Sequence, residues 1–362
     1  MTEVGVTQYL TYWRSAVFGS REILEGLVAR EHDGPSHDLA QRLAEWDGYY
    51  YWENSREGRW LVLVREAVTP RERWWLHAAL FLLVLITTSL GGAALTGASD
   101  TFWSVPTPAL IRSGLPFALP LLAILFAHES GHYVAARRYR VDASPPYFIP
   151  FLPQFNAIGT MGAFIRLRSV VFDRRTLFDI GVAGPLAGIV VAIPVLLVGL
   201  ARSTTDAIAS SVPLAHQYVL LWGQPLFLGD SLLLRAVRAV VGAHGVVHLS
   251  PMAFAGWVGI LVTMLNLLPL AQLDGGHISF ALFGRAQTWI ACVFWVMLVI
   301  MGWLFWWGWW IWAAIGLLIG RGTLAHPVIV SDARALDGRR RWLGWVMIAL
   351  FVLTFMPMPI PV

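Results

Sequence analysis

Runs of about twenty apolar residues constrain this chain most strongly, because they recur along most of its length. The hydrocarbon core of a bilayer is about 30 Å thick, and a helix crosses it with about 20 residues. Of the 362 residues, 57% are hydrophobic and 13% are charged, whereas soluble domains carry about 25% charged residues. The composition therefore excludes an ordinary soluble globule and predicts an α-helical polytopic membrane protein, with the lipid bilayer as its surroundings.

Seven of the apolar runs are predicted to cross the membrane. They are Trp74–Leu95, Pro116–Ala136, Leu177–Leu200, Met252–Leu270, Ala286–Leu304, Phe305–Ile319 and Trp342–Phe355. The fifth and sixth runs hold eight tryptophans, most of which are predicted to be anchors at the lipid–water interface. The stretch Tyr147–Leu167 is also apolar, but its prolines and glycines disfavour a continuous helix. We therefore expect a re-entrant hairpin segment there, packed within the protein.

A polar head precedes these spans, since residues 1–73 hold 21 of the 48 charged side chains. Helical apolar spacing predicts a helix at Asp38–Trp46. Aromatic and β-branched runs at Tyr49–Trp52 and Arg59–Arg65 predict a hairpin. We therefore divide the chain into a small soluble α+β domain, residues 1–73, and a membrane-embedded domain, residues 74–362. Within the latter, residues 201–250 are predicted to form a long loop with a surface helix at Ser231–Val241.

Arginines in the loops predict the orientation, because cytoplasmic loops carry an excess of positive charge. Fifteen arginines flank the spans on the side of the N-terminus: Arg71, Arg73, Arg137, Arg138, Arg140, Arg166, Arg168, Arg174, Arg175, Arg285, Arg321, Arg334, Arg339, Arg340 and Arg341. Four flank the opposite side: Arg112, Arg202, Arg235 and Arg238. We therefore expect a cytoplasmic N-terminal domain and a C-terminus on the other side, with arginines that indicate topology and no nucleic-acid partner.

The pentapeptide HESGH at residues 128–132 carries the sharpest chemical signal. His128 and His132 are four residues apart and share one face of a helix, so both imidazoles can reach one metal ion. Glu129 projects beside them and can take a proton from an attacking water. A chance match or a buried histidine pair is the alternative. However, Glu129 is the only glutamate after Glu72, and a lone carboxylate inside an apolar span is expensive and by default functional.

Asp274 is the candidate for a third metal ligand, because catalytic zinc takes three protein ligands and one open position. It lies in the segment NLLPLAQLDGGH, residues 266–277, just past the predicted fourth span and at the depth of the two histidines. Pro269 weakens the helix, and two glycines after the aspartate free the backbone. The break would let the carboxylate turn toward a metal. An ordinary Asp-Gly turn is the alternative.

Two neighbours of Asp274 are further candidates, each with a second interpretation. Asn266 could donate a hydrogen bond to a developing oxyanion, or it could serve polar packing between helices. His277 could bind the metal itself, or it could support a metal ligand through a hydrogen bond.

The motifs together resemble the site-2 protease family of intramembrane zinc metalloproteases. HESGH and NLLPLAQLDGG carry the resemblance, and the intervening GTMGAFIRLRS and RRTLFDIGVAGPLAG look most like the branch that includes bacterial proteins and chloroplast homologues. The resemblance covers residues 116–283 and implies a three-helix catalytic core formed by the second, third and fourth spans. It further implies that His128, His132 and Asp274 bind Zn²⁺ and that Glu129 is the catalytic acid and base.

The resemblance also implies that the hairpin at Tyr147–Leu167 lies beside the active site. Gly159 and Gly162 would permit close backbone approach, and an exposed strand edge could bind an unwound substrate by β-addition. A plain interfacial loop is the alternative. In the third span, Gly184 and Gly188 have the GxxxG spacing, which favours close helix packing over substrate contact.

We therefore expect an intramembrane zinc metalloprotease that hydrolyses peptide bonds in transmembrane helices, as in regulated intramembrane proteolysis. Its substrates would be single-span or other integral membrane proteins, and it would lie in a bacterial-type cell membrane with the active site toward the cytoplasm. A membrane metal transporter is one alternative, but transporters often show two similar halves, and the chain has no second copy of either motif. A zinc-bound scaffold that cleaves nothing is another, although it would not need Glu129.

Overall fold

The structure, a computed structural model, describes residues 3–18, 21–55, 58–66, 72–99, 106–153, 155–168, 171, 173–206, 216–326 and 335–361. The described part is mostly helical, with two four-stranded sheets and one two-stranded sheet. Arg71 and Arg334, two of the arginines from which the orientation was predicted, lie outside the described residues.

The N-terminal head is a small sheet with two helices. Helix α1 spans Glu3–Thr7 and α2 spans His37–Ala44, and the strands are β1 Leu10–Phe18, β2 Arg21–Val28, β3 Tyr49–Ser55 and β4 Gly58–Glu66, in the antiparallel order β1-β2-β4-β3. Ser36 begins α2 because its hydroxyl accepts the Leu39 N–H. Leu39 and Leu43 then pack with Leu61 in a buried core. The predicted hairpin is confirmed as β3–β4, and the predicted helix ends two residues earlier than expected, at Ala44.

The rest of the described chain is built on nine helices. In chain order they are α3 Trp74–Leu95, α4 Pro108–Arg138, α5 Arg174–Ala201, α6 Leu232–Val241, α7 Pro251–Asn266, α8 Asp274–Phe283, α9 Ala286–Leu304, α10 Gly308–Ile319 and α11 Gly338–Thr354. Four of them, α3, α4, α5 and α9, are long and apolar enough to cross a membrane, and α7 and α10 are shorter apolar helices. Helix α4 begins eight residues before the predicted span because Thr107 caps it and Pro108 occupies its first turn.

Short strands occupy the connections between these helices. Strands β5 Tyr147–Pro150 and β6 Thr160–Phe164 pair antiparallel, which places a hairpin inside the predicted stretch. Residues 201–250, predicted as a loop, instead carry β7 Thr204–Asp206, β8 Gln217–Leu221, β9 Gln224–Leu228 and β10 Val246–His248, in the order β7-β10-β8-β9. The loop prediction was wrong because strands of three to five residues carry little alternating pattern. The predicted surface helix is present as α6, and Ser231 caps it.

Small residues bring α4, α5 and α7 into close contact. A Cβ on Gly131 of α4 would lie 2.3 Å from the Ala183 carbonyl oxygen of α5, and a Cβ on Gly199 of α5 would lie 2.3 Å from the Ala253 nitrogen of α7. Small residues are what close helix packing within a bilayer requires. The three helices at the second, third and fourth predicted spans therefore form one packed core.

A polar cluster ties the last helix to this core. The Arg340 guanidinium of α11 donates to Asp179 of α5 over 2.6 and 2.9 Å, and to the Tyr139 hydroxyl at the end of α4 over 3.2 Å. Arg175 of α5 also donates to the Ala335 carbonyl over 3.2 Å. Charged hydrogen bonds are the stronger class, so this cluster fixes the start of α11 beside α4 and α5.

Not all tryptophans of α9 and α10 have the exposed position predicted for interface anchors. Trp289 and Trp303 are 76% and 78% exposed, which suits an anchor. Trp309 is fully buried and donates a 2.8 Å hydrogen bond to the Pro357 carbonyl. The prediction concerned most of the eight tryptophans, and Trp309 is an exception, because its ring stacks on Phe355 inside the protein.

Candidate metal centre

Three side chains that are distant in the sequence converge where α4, α5 and α8 meet. Asp274 Oδ2 lies 3.2 Å from His128 Nε2, and Asp274 Oδ1 lies 3.3 Å from His132 Nε2. The two Nε2 atoms are 3.2 Å apart, and the three ligand atoms all lie within 4.8 Å of one another. Two imidazoles and one carboxylate form a donor set that suits zinc. The structure thus brings together the three residues that the sequence marked as ligands.

Helix α4 presents the two histidines in the same direction, as their spacing of four residues requires. Both side chains are buried. His132 Nδ1 lies 2.7 Å from the Ile180 carbonyl oxygen of α5, so its Nδ1–H donates there. Because this bond fixes the tautomer, His132 Nε2 is left with a lone pair directed at the Asp274 side.

Two glycines of α5 make room for the imidazole rings. A Cβ on Gly184 would lie 2.0 Å from His132 Nε2, and a Cβ on Gly188 would lie 3.2 Å from His128 Nδ1. The GxxxG spacing was predicted to serve close packing, and it does. The side chains that pack against these two glycines are His132 and His128, the two histidines of the candidate metal site.

A break between α7 and α8 delivers Asp274 to the histidines. Helix α7 ends at Asn266, Pro269 lies inside the break, and α8 begins at Asp274. A Cβ on Gly275 would lie 2.0 Å from the Leu267 carbonyl oxygen, so glycine permits the first turn of α8 to fold back onto the break. The predicted helix break is therefore present, and Asp274 is the first residue of a new helix, so the alternative of an ordinary Asp-Gly turn does not apply.

Glu129 lies beside the group and is only 8% exposed. The backbone N–H of Ile165, just after β6, lies close enough to its carboxylate to interact with its charge. The β5–β6 hairpin therefore contacts the helix that carries the histidines. In strand β6, the side chains of Met161 and Phe164 are exposed.

The two neighbours of Asp274 have different positions. Asn266 Nδ2 lies 3.2 Å from His128 Nε2, so the amide reaches the point where the ligand atoms converge. His277 Nδ1 lies instead 2.7 Å from His326 Nε2, and His277 is not a member of the three-residue group. The interpretation of His277 as a direct ligand is therefore not supported. Its partner His326 was missed because only the fold brings the two rings together.

The two glycines of the hairpin also differ from each other. Gly159 has a φ of +76°, and a Cβ there would lie 2.3 Å from the Thr87 carbonyl oxygen of α3. Its close approach is thus to α3, whereas the sequence interpretation expected a substrate. Gly162 has a φ of +96° and open space where its Cβ would be.

Comparison with known proteins gives a family and a set of relatives. A family model described as peptidase family M50 matches residues 116–301. The chain is 33% identical over 252 residues to the probable zinc metalloprotease EGY1, chloroplastic, of Oryza sativa subsp. japonica, a match that covers 68% of this chain and 41% of the relative. No solved structure matches the chain.

Two further relatives are chloroplast proteins with similar names. The probable zinc metalloprotease EGY1 of Arabidopsis thaliana is 36% identical over 176 residues, which are 48% of this chain and 31% of the relative. The probable zinc metalloprotease EGY2 of Oryza sativa subsp. indica is 27% identical over 347 residues, which are 93% of this chain and 61% of the relative. The chain therefore spans less than two thirds of the length of these relatives.

Proposed function

Because the chain belongs to peptidase family M50, we propose that it is an intramembrane zinc metalloprotease. The predicted resemblance to the site-2 protease family, in the branch with chloroplast homologues, is confirmed by the family match and the relatives. The observation that carries the proposal is the convergence of His128, His132 and Asp274 within 4.8 Å, with Glu129 buried beside them.

The residues present fit a zinc ion. His128 Nε2, His132 Nε2 and one Asp274 oxygen would bind it, and the tie between His132 Nδ1 and the Ile180 carbonyl is the support that metal-binding histidines usually have. When bound, zinc supplies a Lewis acid that polarises a carbonyl and acidifies water.

Glu129 would move the proton during hydrolysis. Its carboxylate takes a proton from the attacking water and then delivers it to the leaving amine. Asn266 would donate its amide N–H to the oxyanion that develops on the substrate carbonyl, since the amide already reaches His128 Nε2 at 3.2 Å. Hydrogen-bond donors of this kind contribute to rate because they are in place before the charge develops.

A substrate helix must unwind before its peptide bond can react, because helical hydrogen bonds occupy its carbonyl groups. We propose that the β5–β6 hairpin binds the unwound strand, since the segment after β6 contacts Glu129. The open space at Gly162 is consistent with such an approach. In this proposal Gly159 acts indirectly, by seating the hairpin against α3. The substrates would be single-span or other integral membrane proteins.

We propose seven spans, formed by α3, α4, α5, α7, α9, α10 and α11. The arginine count then places residues 1–73 and the metal centre on the cytoplasmic side, with residues 74–362 as the membrane domain. The chain is a membrane protein, and its relatives named above are chloroplast proteins. A bacterial-type cell membrane for this chain remains a prediction.

A metal transporter is less well supported. Among the described residues, His128, His132 and Asp274 form a group that could hold a metal ion, and no second group of this kind marks a repeated half. A scaffold that binds zinc without cleavage would have no use for Glu129 in its buried position.

The decisive experiment incubates the detergent-purified chain with a set of single-span proteins reconstituted in the same micelles. We expect cleavage within a span, blocked by a zinc chelator and restored by zinc. Glu129→Gln should bind zinc as well as the wild type and lower the cleavage rate by about a hundredfold or more. Normal cleavage by Glu129→Gln would contradict its role, and zinc flux across vesicles without cleavage would support the transporter.

A further inference from the structure

The break that delivers Asp274 contains a residue in a disfavoured backbone conformation. Ala271 has a φ of +42°, and side chains with a Cβ rarely adopt positive φ. Such a residue persists only when its surroundings impose the conformation. The Ala271 N–H donates to the Leu324 carbonyl over 3.3 Å, and Gly320 at the end of α10 packs against the Ala271 methyl group. Residues at the end of α10 and just after it therefore stabilise the backbone conformation of the break.

Gln287 connects the same two segments. It lies in the first turn of α9, is fully buried, and donates from Nε2 to the Pro269 carbonyl and to the Leu324 carbonyl, both over 3.3 Å. Its Oε1 accepts the His326 N–H over 3.0 Å. The Gln287 side chain thus forms hydrogen bonds both to the break before Asp274 and to the segment Leu324–His326.

His326 extends the connection to the helix that Asp274 begins. Its Nε2 lies 2.7 Å from His277 Nδ1, one turn after Asp274, and its ring stacks on Phe280 with 4.6 Å between centroids. Buried polar groups that are fully bonded specify one arrangement of the elements they join. Both ends of the Asp274 turn are therefore tied to the same short segment.

We propose that Gln287 and His326 are positioning residues for the metal centre: they fix the α7–α8 break so that the Asp274 carboxylate meets His128 and His132. This inference rests on the proposed zinc site. It means that residues 324–326, which lie outside the part of the chain that matches the family model (116–301), help to position Asp274. Neither residue is proposed to touch the metal or the substrate.

The experiment measures zinc affinity of the purified full chain by competition with a chelator. Gln287→Met keeps the side chain's length and removes its three hydrogen bonds. We expect it to weaken zinc binding by about tenfold or more, as loss of groups that support metal ligands does. His326→Phe keeps a ring to stack on Phe280 and removes the bond to His277, and we expect a smaller loss. Excess zinc should restore cleavage in both variants, which damage to the overall fold would not allow.

Gln217→Met provides the matched control. Gln217 is a fully buried glutamine in β8 that donates to the Gly229 carbonyl over 2.7 Å, and it has no part in the break. We expect the zinc affinity of the Gln217→Met variant to equal that of the wild type. Equal zinc affinity of Gln287→Met and Gln217→Met, with His326→Phe unchanged, would overturn the proposal while leaving the zinc site intact. A wild type that binds no zinc would overturn the zinc site itself and this inference with it.

Discussion

At the scale of single residues, the metal centre depends on two glycines without side chains as well as on the three ligands. Gly184 and Gly188 of α5 leave the space that the rings of His132 and His128 occupy. The two positions differ in tolerance, since a Cβ at Gly184 would meet His132 Nε2 at 2.0 Å and a Cβ at Gly188 would meet His128 Nδ1 at 3.2 Å. A graded response to the same substitution is therefore expected.

Gly184→Ala should displace the His132 ring and weaken zinc binding by about tenfold or more, whereas Gly188→Ala should cost less because its neighbour needs to shift only a few tenths of an ångström. Overpacking of this kind also lowers stability by about 1–3 kcal/mol. Chelator competition and thermal unfolding in detergent measure both effects. Gly338→Ala, where a Cβ meets nothing within 4 Å, serves as the control. Equal zinc affinity in all three variants would refute the role given to Gly184.

The sequence predicted the candidate site residues better than it predicted the contacts that hold them in position. HESGH identifies two ligand candidates and a base through spacing alone, and Asp274 follows from its depth in the membrane. The bond from His132 to the Ile180 carbonyl, the space at Gly184 and the partner of His277 could not be predicted, because each depends on which helices touch. Nothing in the local sequence around His326 marks it as a neighbour of α8.

At the scale of elements, α3 packs against the β5–β6 hairpin and so positions it beside Glu129. Glu72, just before α3, forms a 2.5 Å ion pair with Arg168, which follows β6. His77 in the first turns of α3 contacts the Pro146 carbonyl at 3.1 Å, and Gly159 packs on Thr87. The position of the hairpin beside the metal centre therefore depends on contacts at both ends of its strands.

The Glu72–Arg168 pair predicts a pH dependence of stability. Burial raises the pKa of Glu72, but the hydrogen bonds and charges of Arg168 and, to a smaller extent, His77 outweigh this effect and hold that pKa below the ordinary value of 4.5. Because the folded pKa is the lower one, the pair stabilises the fold above about pH 4.5, and this stabilisation is lost as the pH falls through the folded pKa. Glu72→Gln should therefore unfold at a lower temperature than the wild type at neutral pH and at a similar one in acid.

Thermal unfolding at about pH 7 and at about pH 2, below both the unfolded and the folded pKa, tests this difference. Glu25→Gln is the control, since it removes an ion pair with Arg14 whose side chain is 64% exposed, and exposed pairs contribute little. A gap between Glu72→Gln and the wild type that is the same at both pH values would contradict the assignment.

Prediction of elements succeeded where the pattern was long. The apolar runs at α3 and α9 predicted both helices to the residue, because twenty apolar residues in sequence leave little choice. Strands β7 to β10 were missed because each is short, and β10 pairs with β7 and β8 across the intervening chain. Helix α7 stops four residues before the predicted span does, since Pro269 and the break follow it.

At the scale of the whole molecule, the proposed seven spans place the two chain ends on opposite sides of the membrane. In the part of the chain that the structure describes, four helices are long and apolar enough to cross a membrane, and α7, α10 and α11 complete the seven only if they cross as well. Tags at the N-terminus and the C-terminus, tested for protease protection in sealed vesicles of one orientation, should give opposite results. Protection of both tags together would require an even number of spans and would contradict the topology.

The central claim is that His128, His132 and Asp274 hold one zinc ion inside the membrane domain, and metal analysis of the purified chain tests it most directly. The wild type and Glu129→Gln should each contain about one zinc per chain, since three protein ligands suffice for a catalytic site. His128→Ala and Asp274→Ala, purified as folded protein, should contain almost none. Full zinc content in Asp274→Ala would contradict the account, because the carboxylate that α8 brings to the histidines would then have no part in binding the metal.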